Sequence, residues 1–387
     1  RYTSNLDELY FQGRIVAAAK SFLEGKSDET IEALHDVFDC LAEERDHYFS
    51  SDPHLIDLVL TTPSTLDALL QATDQLGQQL NVSEKSDKDP SVLATPTNVL
   101  LDGAVAQQLA RRSDQAEAQR LKQWLASGAV GWAGGGPATE SCLDAMTYAQ
   151  AESAFDLAHE QLVQAIGAAP SVYGRYCGST PADMIGGLAR LGYSGVIPID
   201  FAAGKGFGDE AKVIMESAGT KIEALTVKPI DASSDASFLT LGAQLGEAID
   251  GGEIATALLV HWPGKACDAF RDLRRVASWS LSLGRFWKLD DYFSDGERPY
   301  HHGPHRAASP EAAGLLESLV QREVAEPVSS LATSFCQQVD DEHRAILDGM
   351  SGLATGKPVE SGDAARTLAD MVSSFDDSGQ ANAALLI

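Results

Sequence analysis

From about residue 54 to residue 289, short β-rich apolar runs alternate with helical stretches, and this alternation constrains the fold more than any other feature. The β-rich runs fall at 54–61, 98–101, 129–133, 171–177, 195–200, 221–229, 254–262 and 285–289, most of them bounded by Gly or Pro. Helical periodicity occupies 64–80, 104–125, 149–166, 181–191, 236–249 and 266–283. Strand followed by helix, repeated, implies a parallel sheet with crossover helices. The unbroken apolar character of 255–260 suits a strand buried on both faces. Six to eight such units fit either an α/β barrel or an open doubly wound sheet.

The flanks differ. Residues 1–50 read as a helical hairpin, with Ile15, Ala18, Ala19, Phe22 and Leu23 on one helical face and Ile31, Leu34, Phe38 and Leu41 on the next. Gly25 divides the two, with Ser27 and Asp28 as candidate N-caps. The α/β part takes in 51–300, and the polar segment 81–96 is a surface loop within it. After Pro310 the patterns at 311–328, 329–350 and 362–375 are helical with no strand between them, a bundle over 310–378. The chain opens without Met and ends on the apolar run 383–387, so it reads as a fragment.

Charge narrows the partners. Lys and Arg total 29 against 56 Asp and Glu, a net −27 that repels phosphate backbones and leaves no basic stripe to offset the repulsion. Nucleic acid and anionic membrane surfaces are therefore excluded as expected partners, although acidity of this size also serves solubility alone. No apolar run reaches the roughly 18 residues of a membrane-spanning helix. The five cysteines are scattered without C-x-x-C spacing, which suggests reduced thiols and a cytoplasmic setting.

In either α/β architecture the active site lies at the carboxyl ends of the strands. Those ends carry Trp132 with Gly134, Gly135 and Gly136 and then Glu140; Arg175, Tyr176 and Cys177; Asp200; Asp231; His261 and Trp262; and Asp290 with Asp291. Carboxylates beside Trp and Tyr are what a sugar site needs, acids for the glycosidic bond and flat apolar faces for the ring. Each also has a structural reading. The triple glycine fits a flexible turn, and no Walker lysine or G-x-G-x-x-G follows it. Asp231 and Asp235 fit helix N-caps, and Asp57, Asp102 and Asp183 fit positions capping or flanking helices. His261 is either a pocket residue or a hydrogen-bonded core histidine. His301, His302 and His305 form the one histidine cluster, either a metal site completed by carboxylates or a solvated loop. No G-x-S-x-G elbow supports serine hydrolase chemistry.

The string of features from Gly134 onward resembles the N-terminal catalytic domain of glycoside hydrolase family 38, the α-mannosidases. The family's Gly-rich turn ending in Glu resembles 134–140; its Pro-x-Val strand and Leu-Ala-Arg helix resemble Pro170-Ser171-Val172 and Leu188-Ala189-Arg190. Its aromatic-Trp-Ser-Gly stretch before basic helix residues resembles 261–264 with Arg271, Arg274 and Arg275, and its His-His turn resembles His301 and His302. Order and spacing agree over about residues 129–345. The resemblance implies an incomplete (β/α)7-type barrel of parallel strands, lacking the family's first strand, then a three-helix-like bundle and a β domain opening at 379–387. It also implies a retaining hydrolase with bound zinc, for which a histidine at His301 or His302 is the one arguable ligand. The family's nucleophilic Asp falls on Tyr176, and tyrosine serves as a glycosidase nucleophile in sialidases.

Three readings follow. A carbohydrate-active hydrolase would use Tyr176, Asp200, Asp231 or Asp290 as acid or nucleophile, with Trp132, Glu140, Arg175, His261 and Trp262 holding the sugar. A non-catalytic relative would keep the barrel as a scaffold and bind glycan or protein there. A metal-dependent polysaccharide deacetylase-like barrel would need His261 and the 301–305 histidines around one ion.

Overall fold

A computed structural model describes residues 6–48, 52–74, 76–77, 93–112, 114–135, 148–178, 180, 184–208, 210–251, 254–299, 304–305 and 325–355. The chain divides into two compact units, Arg1–Glu140 with Ala154–Ala307, and Ser141–Ser153 with Ala308–Ile387.

The first unit begins with two paired helices, α1 (Glu8–Leu23) and α2 (Ser27–Tyr48). Asp7 caps α1 by accepting a hydrogen bond from the backbone N–H of Tyr10 at 3.0 Å. His35 and Phe38 of α2 lie 4.2 and 5.3 Å from the ring of Trp279, stacked and edge-on, which seats the pair on the α/β part.

There the sequence runs β1 (His54–Leu60), α3 (Leu66–Gln71), β2 (Asn98–Asp102), α4 (Gly103–Arg111), α5 (Ala116–Ala126), β3 (Gly131–Gly135), α6 (Tyr148–Ile166), β4 (Val172–Gly174), α7 (Ile185–Arg190) and β5 (Gly195–Ile197). The hairpin β6 (Lys212–Ser217) and β7 (Thr220–Leu225) follows, then β8 (Ile230–Asp231), α8 (Phe238–Asp250), β9 (Thr256–His261), α9 (Asp268–Ala277), β10 (Arg285–Phe286), α10 (Leu289–Ser294) and β11 (Pro304–His305). Helix 104–125 of the sequence reading is divided between α4 and α5. Strand β6 was not foreseen; its turn holds Ala218 and Gly219 at positive φ, 49° and 83°, as a tight two-residue hairpin demands.

The described strands form one sheet in the order β11-β6-β7-β5-β4-β3-β2-β1-β9-β8, parallel throughout except for β6 against β7, with β10 beside β1. It curls into an incomplete barrel. The stretch β7–β8 pairs with β5 through Val196 and Ala224, then with β9 through Ile230 and Leu259. Only residues 226–229 separate the two halves, a reach of at most about 3.5 Å per residue, so one bent stretch of chain links β7 to β8 at the edge beyond β9. With β7–β8 counted once, β1, β2, β3, β4, β5, β7–β8 and β9 make seven positions.

Alternation along the strands sorts side chains between the two faces. Ile56, Leu58, Leu60, Leu100, Ala133, Val172, Ile197, Leu225 and Leu258 share one inner cluster. Val59, Val99, Leu101 and Trp132 pack outward with α3, α4 and α5, and Leu55, Ala257 and Leu259 outward with α8 and α9.

The amino end of the barrel is closed. β10 pairs with the first residues of β1, His54 and Leu55, and α10 then turns underneath, placing Leu289, Tyr292 and Phe293 in the inner cluster. Asn98 ties this segment down: its Nδ2 donates to the carbonyls of Asp57 and Trp287, and its Oδ1 accepts from the backbone N–H of Leu289. Gly195 is required here, because a Cβ would stand 2.3 Å from the ring of Phe293. Lys212, its side chain fully buried, donates to the carbonyls of Tyr292 and Glu297, both at 3.0 Å, and pairs with Glu223 at 2.6 Å. All three ammonium hydrogens are thereby used.

In the second unit α11 (Pro327–Thr355) is a largely exposed helix of 29 residues. Residues 311–324 of the helix expected at 311–328, the helix expected at 362–375 and the strand start at 379–387 lie outside the described residues. Among the described residues no helix is long and apolar enough to cross a membrane.

Candidate functional site

The carboxyl ends of β4, β5, β8 and β9 lie along one arc of the barrel mouth and carry four of the expected residues. Tyr176, two residues past β4, and Trp262, one past β9, approach to 5.4 Å between ring centroids at a 59° tilt. Both are half-buried against the inner cluster, as is Phe201. The rings therefore rest on the apolar interior.

Asp200 follows β5. Its backbone exchanges hydrogen bonds with Lys205, and its Oδ1 accepts from the N–H of Ala203 at 2.9 Å, closing a tight turn. The Ala202 N–H of this turn donates to the Tyr176 carbonyl at 3.0 Å, so the Asp200 turn is fastened to the strand carrying Tyr176. Asp231 pairs in register with Val260, two residues before Trp262. Its Oδ1 accepts from both the N–H and the hydroxyl of Ser233, an Asx turn rather than a helix N-cap. Asp235 does cap a helix, though a distant one: its Oδ1 accepts from the N–H of Ala269 in the first turn of α9, and that bond holds its carboxyl below the ordinary range. Arg175 is buried beside Tyr176, under the turn at Gly178.

Four expectations need correction. Trp132 does not reach the mouth: it faces outward from β3 and is core beneath the helices. Gly134 and Gly135 are strand residues. A Cβ on Gly134 would meet the Leu101 carbonyl at 2.0 Å, and Gly135, with φ at 102°, lies against the Tyr193 hydroxyl, so close packing accounts for both. Asp290 sits in α10 at the opposite, closed end of the barrel, because residues 285–289 form only a two-residue strand against the start of β1. Its carboxyl is pushed up by burial, with no mouth residue near it to use a proton.

His261 is the fourth. It ends β9 on the outward face, and Asp57 lies fully buried in the middle of β1, not at a helix end. His261 Nε2 stands 3.0 Å from Asp57 Oδ1, and Nδ1 stands 2.9 Å from the Trp262 carbonyl. Asp57 Oδ2 accepts from the Thr97 hydroxyl at 2.8 Å and from Arg274 at 2.5 Å. Burial alone would raise the Asp57 carboxyl, but Arg274, His261 and Thr97 outweigh it and hold it below the usual range. Burial would lower His261, and Asp57 with the Trp262 carbonyl outweighs that and raises it. With both ring nitrogens engaged, His261 has no lone pair for a metal. Asp57 was legible only as one carboxylate inside an apolar strand, a signal that in hindsight marks a buried ion pair.

Glu140 and His302 lie outside the described residues. Among the described residues no group of three or more His, Cys, Asp or Glu could hold a metal ion.

The fold and mouth define an incomplete parallel α/β barrel with an aromatic and carboxylate rim. No protein family and no curated protein matches the chain. Solved structures are similar in outline. A 4-α-glucanotransferase from Thermococcus litoralis is 12% identical with a TM-score of 0.45, over 70% of this chain and 47% of that one. A putative polysaccharide deacetylase from Mycobacterium smegmatis is 11% identical at 0.42, over 67% and 97%, and an α-mannosidase from Enterococcus faecalis 14% identical at 0.43, over 66% and 30%. The chain thus spans less than half the length of the glucanotransferase and less than a third of the mannosidase. These likenesses are of outline and say nothing of this chain's activity.

Proposed function

We propose that the barrel mouth is a carbohydrate site in which the sugar ring stacks on Trp262 and Tyr176 while Asp200 and Asp231 face its hydroxyls and glycosidic oxygen. The observation that carries this reading is the aromatic pair at 5.4 Å, with a carboxylate turn tethered to each of the two strands that bear it. Flat apolar faces bind the axial C–H face of a pyranose, and carboxylates take its hydroxyls. As a glycoside hydrolase, the chain would use one of the two carboxyl groups to protonate the leaving oxygen. The other would attack the anomeric carbon or activate water. Tyr176 then packs the ring, and an α-mannoside is the first substrate to try because the stretch 261–264, which carries Trp262, resembles that of the α-mannosidases.

One observation favours a binding role without turnover. Both carboxylates spend Oδ1 on their own turns, which suits fixed hydrogen-bond acceptors better than groups exchanging a proton. A panel of aryl glycosides and oligosaccharides, measured for turnover and for binding, separates the two. Hydrolysis abolished by Asp200→Asn or Asp231→Asn with binding retained supports the enzyme; saturable binding without turnover supports the scaffold. If neither is found, the carbohydrate reading fails.

A further inference from the structure

The tryptophan of the mouth rests on a buried charge. His261 immediately precedes Trp262, and each of its ring nitrogens meets an acceptor: Nε2 meets Asp57 Oδ1 at 3.0 Å, and Nδ1 the Trp262 carbonyl oxygen at 2.9 Å. A carbonyl oxygen can only accept. Asp57 is held as a carboxylate by Arg274 and by the Thr97 hydroxyl, so it too only accepts. Both ring nitrogens therefore need hydrogen, and a neutral imidazole carries one. We propose that His261 is a resident imidazolium acting as a positioning residue, latching the 262–265 turn and the Trp262 ring to β1, so that loss of its proton loosens the aromatic mouth. The purpose given to this latch rests on the carbohydrate reading; the latch itself does not.

The surroundings bear this out. The groups facing the imidazole are Asp57 from β1, Arg274 and the ring of Phe270 from α9, the last at 5.3 Å, and the Trp262 carbonyl itself. One carboxylate thus lies between two cations, with the His261 and Asp57 side chains 9% and 1% exposed. The excess positive charge meets backbone carbonyls: Arg274 also donates to those of Thr95 and Pro96, and it lies in the last turn of α9, where the helix end favours cations. The Trp262 carbonyl accepts a second bond, from the N–H of Lys265 at 3.0 Å, which closes the turn that follows. Removing the proton would set an imidazole lone pair against either that carbonyl or the Asp57 carboxylate, and one of the two contacts must open.

The sign follows from the balance of forces. Burial favours the neutral ring, but the facing carboxylate outweighs it and raises the value above the ordinary 6.5. The latch is therefore closed below that range and is lost as pH rises through the shifted value.

The test uses the sugar-free protein with nitrogen-15 histidine. The His261 ring is expected to carry two protonated nitrogens at and below pH 6.5 and to lose one of them with a midpoint above 6.5. Trp262 emission, taken as the difference between wild type and Trp262→Phe, should shift over the same interval, and His261→Gln should abolish that shift. A titration midpoint at or below 6.5 overturns the proposal, and so does Trp262 emission that ignores the His261 titration. Asp57→Asn, if it folds, should lower the midpoint of the His261 titration; an unchanged midpoint in that variant also overturns it. Sugar binding is then followed across the same pH interval. Its absence sinks the carbohydrate reading without altering the readouts on the latch.

Discussion

The two ends of the barrel are built from similar materials and do opposite things. The amino end is sealed by Tyr292 and Phe293 beneath the inner cluster, with Lys212 spending all three hydrogens on the carbonyls and carboxylate that hold the seal. The carboxyl end also carries aromatic side chains, Tyr176, Phe201 and Trp262, but these are half-buried, and the carboxylates beside them stand on turns. Satisfied and enclosed polar groups rigidify; half-exposed ones remain available to a ligand. The two histidines repeat the contrast. His54, the first residue of β1, is pushed down to about 4 by burial, with Lys212 and Arg285 adding to it, whereas His261, the last residue of β9, is raised by a facing carboxylate.

This comparison can be broken by substitution. Tyr292→Ala removes a fully buried ring and its hydroxyl contact with Thr256, and should cost about 3–5 kcal/mol in urea unfolding. Asp57→Ala leaves Arg274 and His261 buried without their carboxylate and should cost a similar amount, about 3–5 kcal/mol. A loss below about 1 kcal/mol in either would mean that the seal or the ion group is not formed.

Acid should act through the closed end. The folded-state value of His54 lies below the ordinary 6.5, so between 6.5 and about 4 the unfolded chain binds a proton that the folded chain refuses. Stability is full above that interval and falls through it as pH drops, by about 3 kcal/mol. Unfolding curves at pH 7 and pH 4.5 measure this, and His54→Gln should flatten the difference. Gly195→Ala is expected to cost about 1–3 kcal/mol, because its Cβ meets Phe293 in a filled interior; an unchanged midpoint would show that the seal is loose.

Much of this architecture was legible in the sequence. The β-rich runs at 54–61, 98–101 and 254–262 became β1, β2 and β9 because their apolar residues occupy successive positions and so must be covered on both faces. Which face of each strand looks inward was not legible. Trp132 and His261 lie one residue out of phase with the barrel interior, and a strand buried on both sides gives no polarity contrast to fix that phase. Asp290 failed for another reason: residues 285–289 look like one more strand, and only long-range pairing with His54 and Leu55 shows that they lie at the amino end. Tyr176, Asp200 and Trp262 follow the ends of β4, β5 and β9 and Asp231 ends β8, and residues at a strand's carboxyl end lie toward the mouth whichever face is inward.

The most direct measurement of the carbohydrate site compares oligosaccharide binding by calorimetry in wild type, Trp262→Ala and Gly195→Ala. Trp262→Ala should abolish saturable binding while costing less than about 2 kcal/mol of stability, since the ring is only half-buried. Gly195→Ala should lower stability and leave affinity unchanged. Binding that survives the loss of Trp262, or that falls with the closed end, would contradict a sugar site at the barrel mouth.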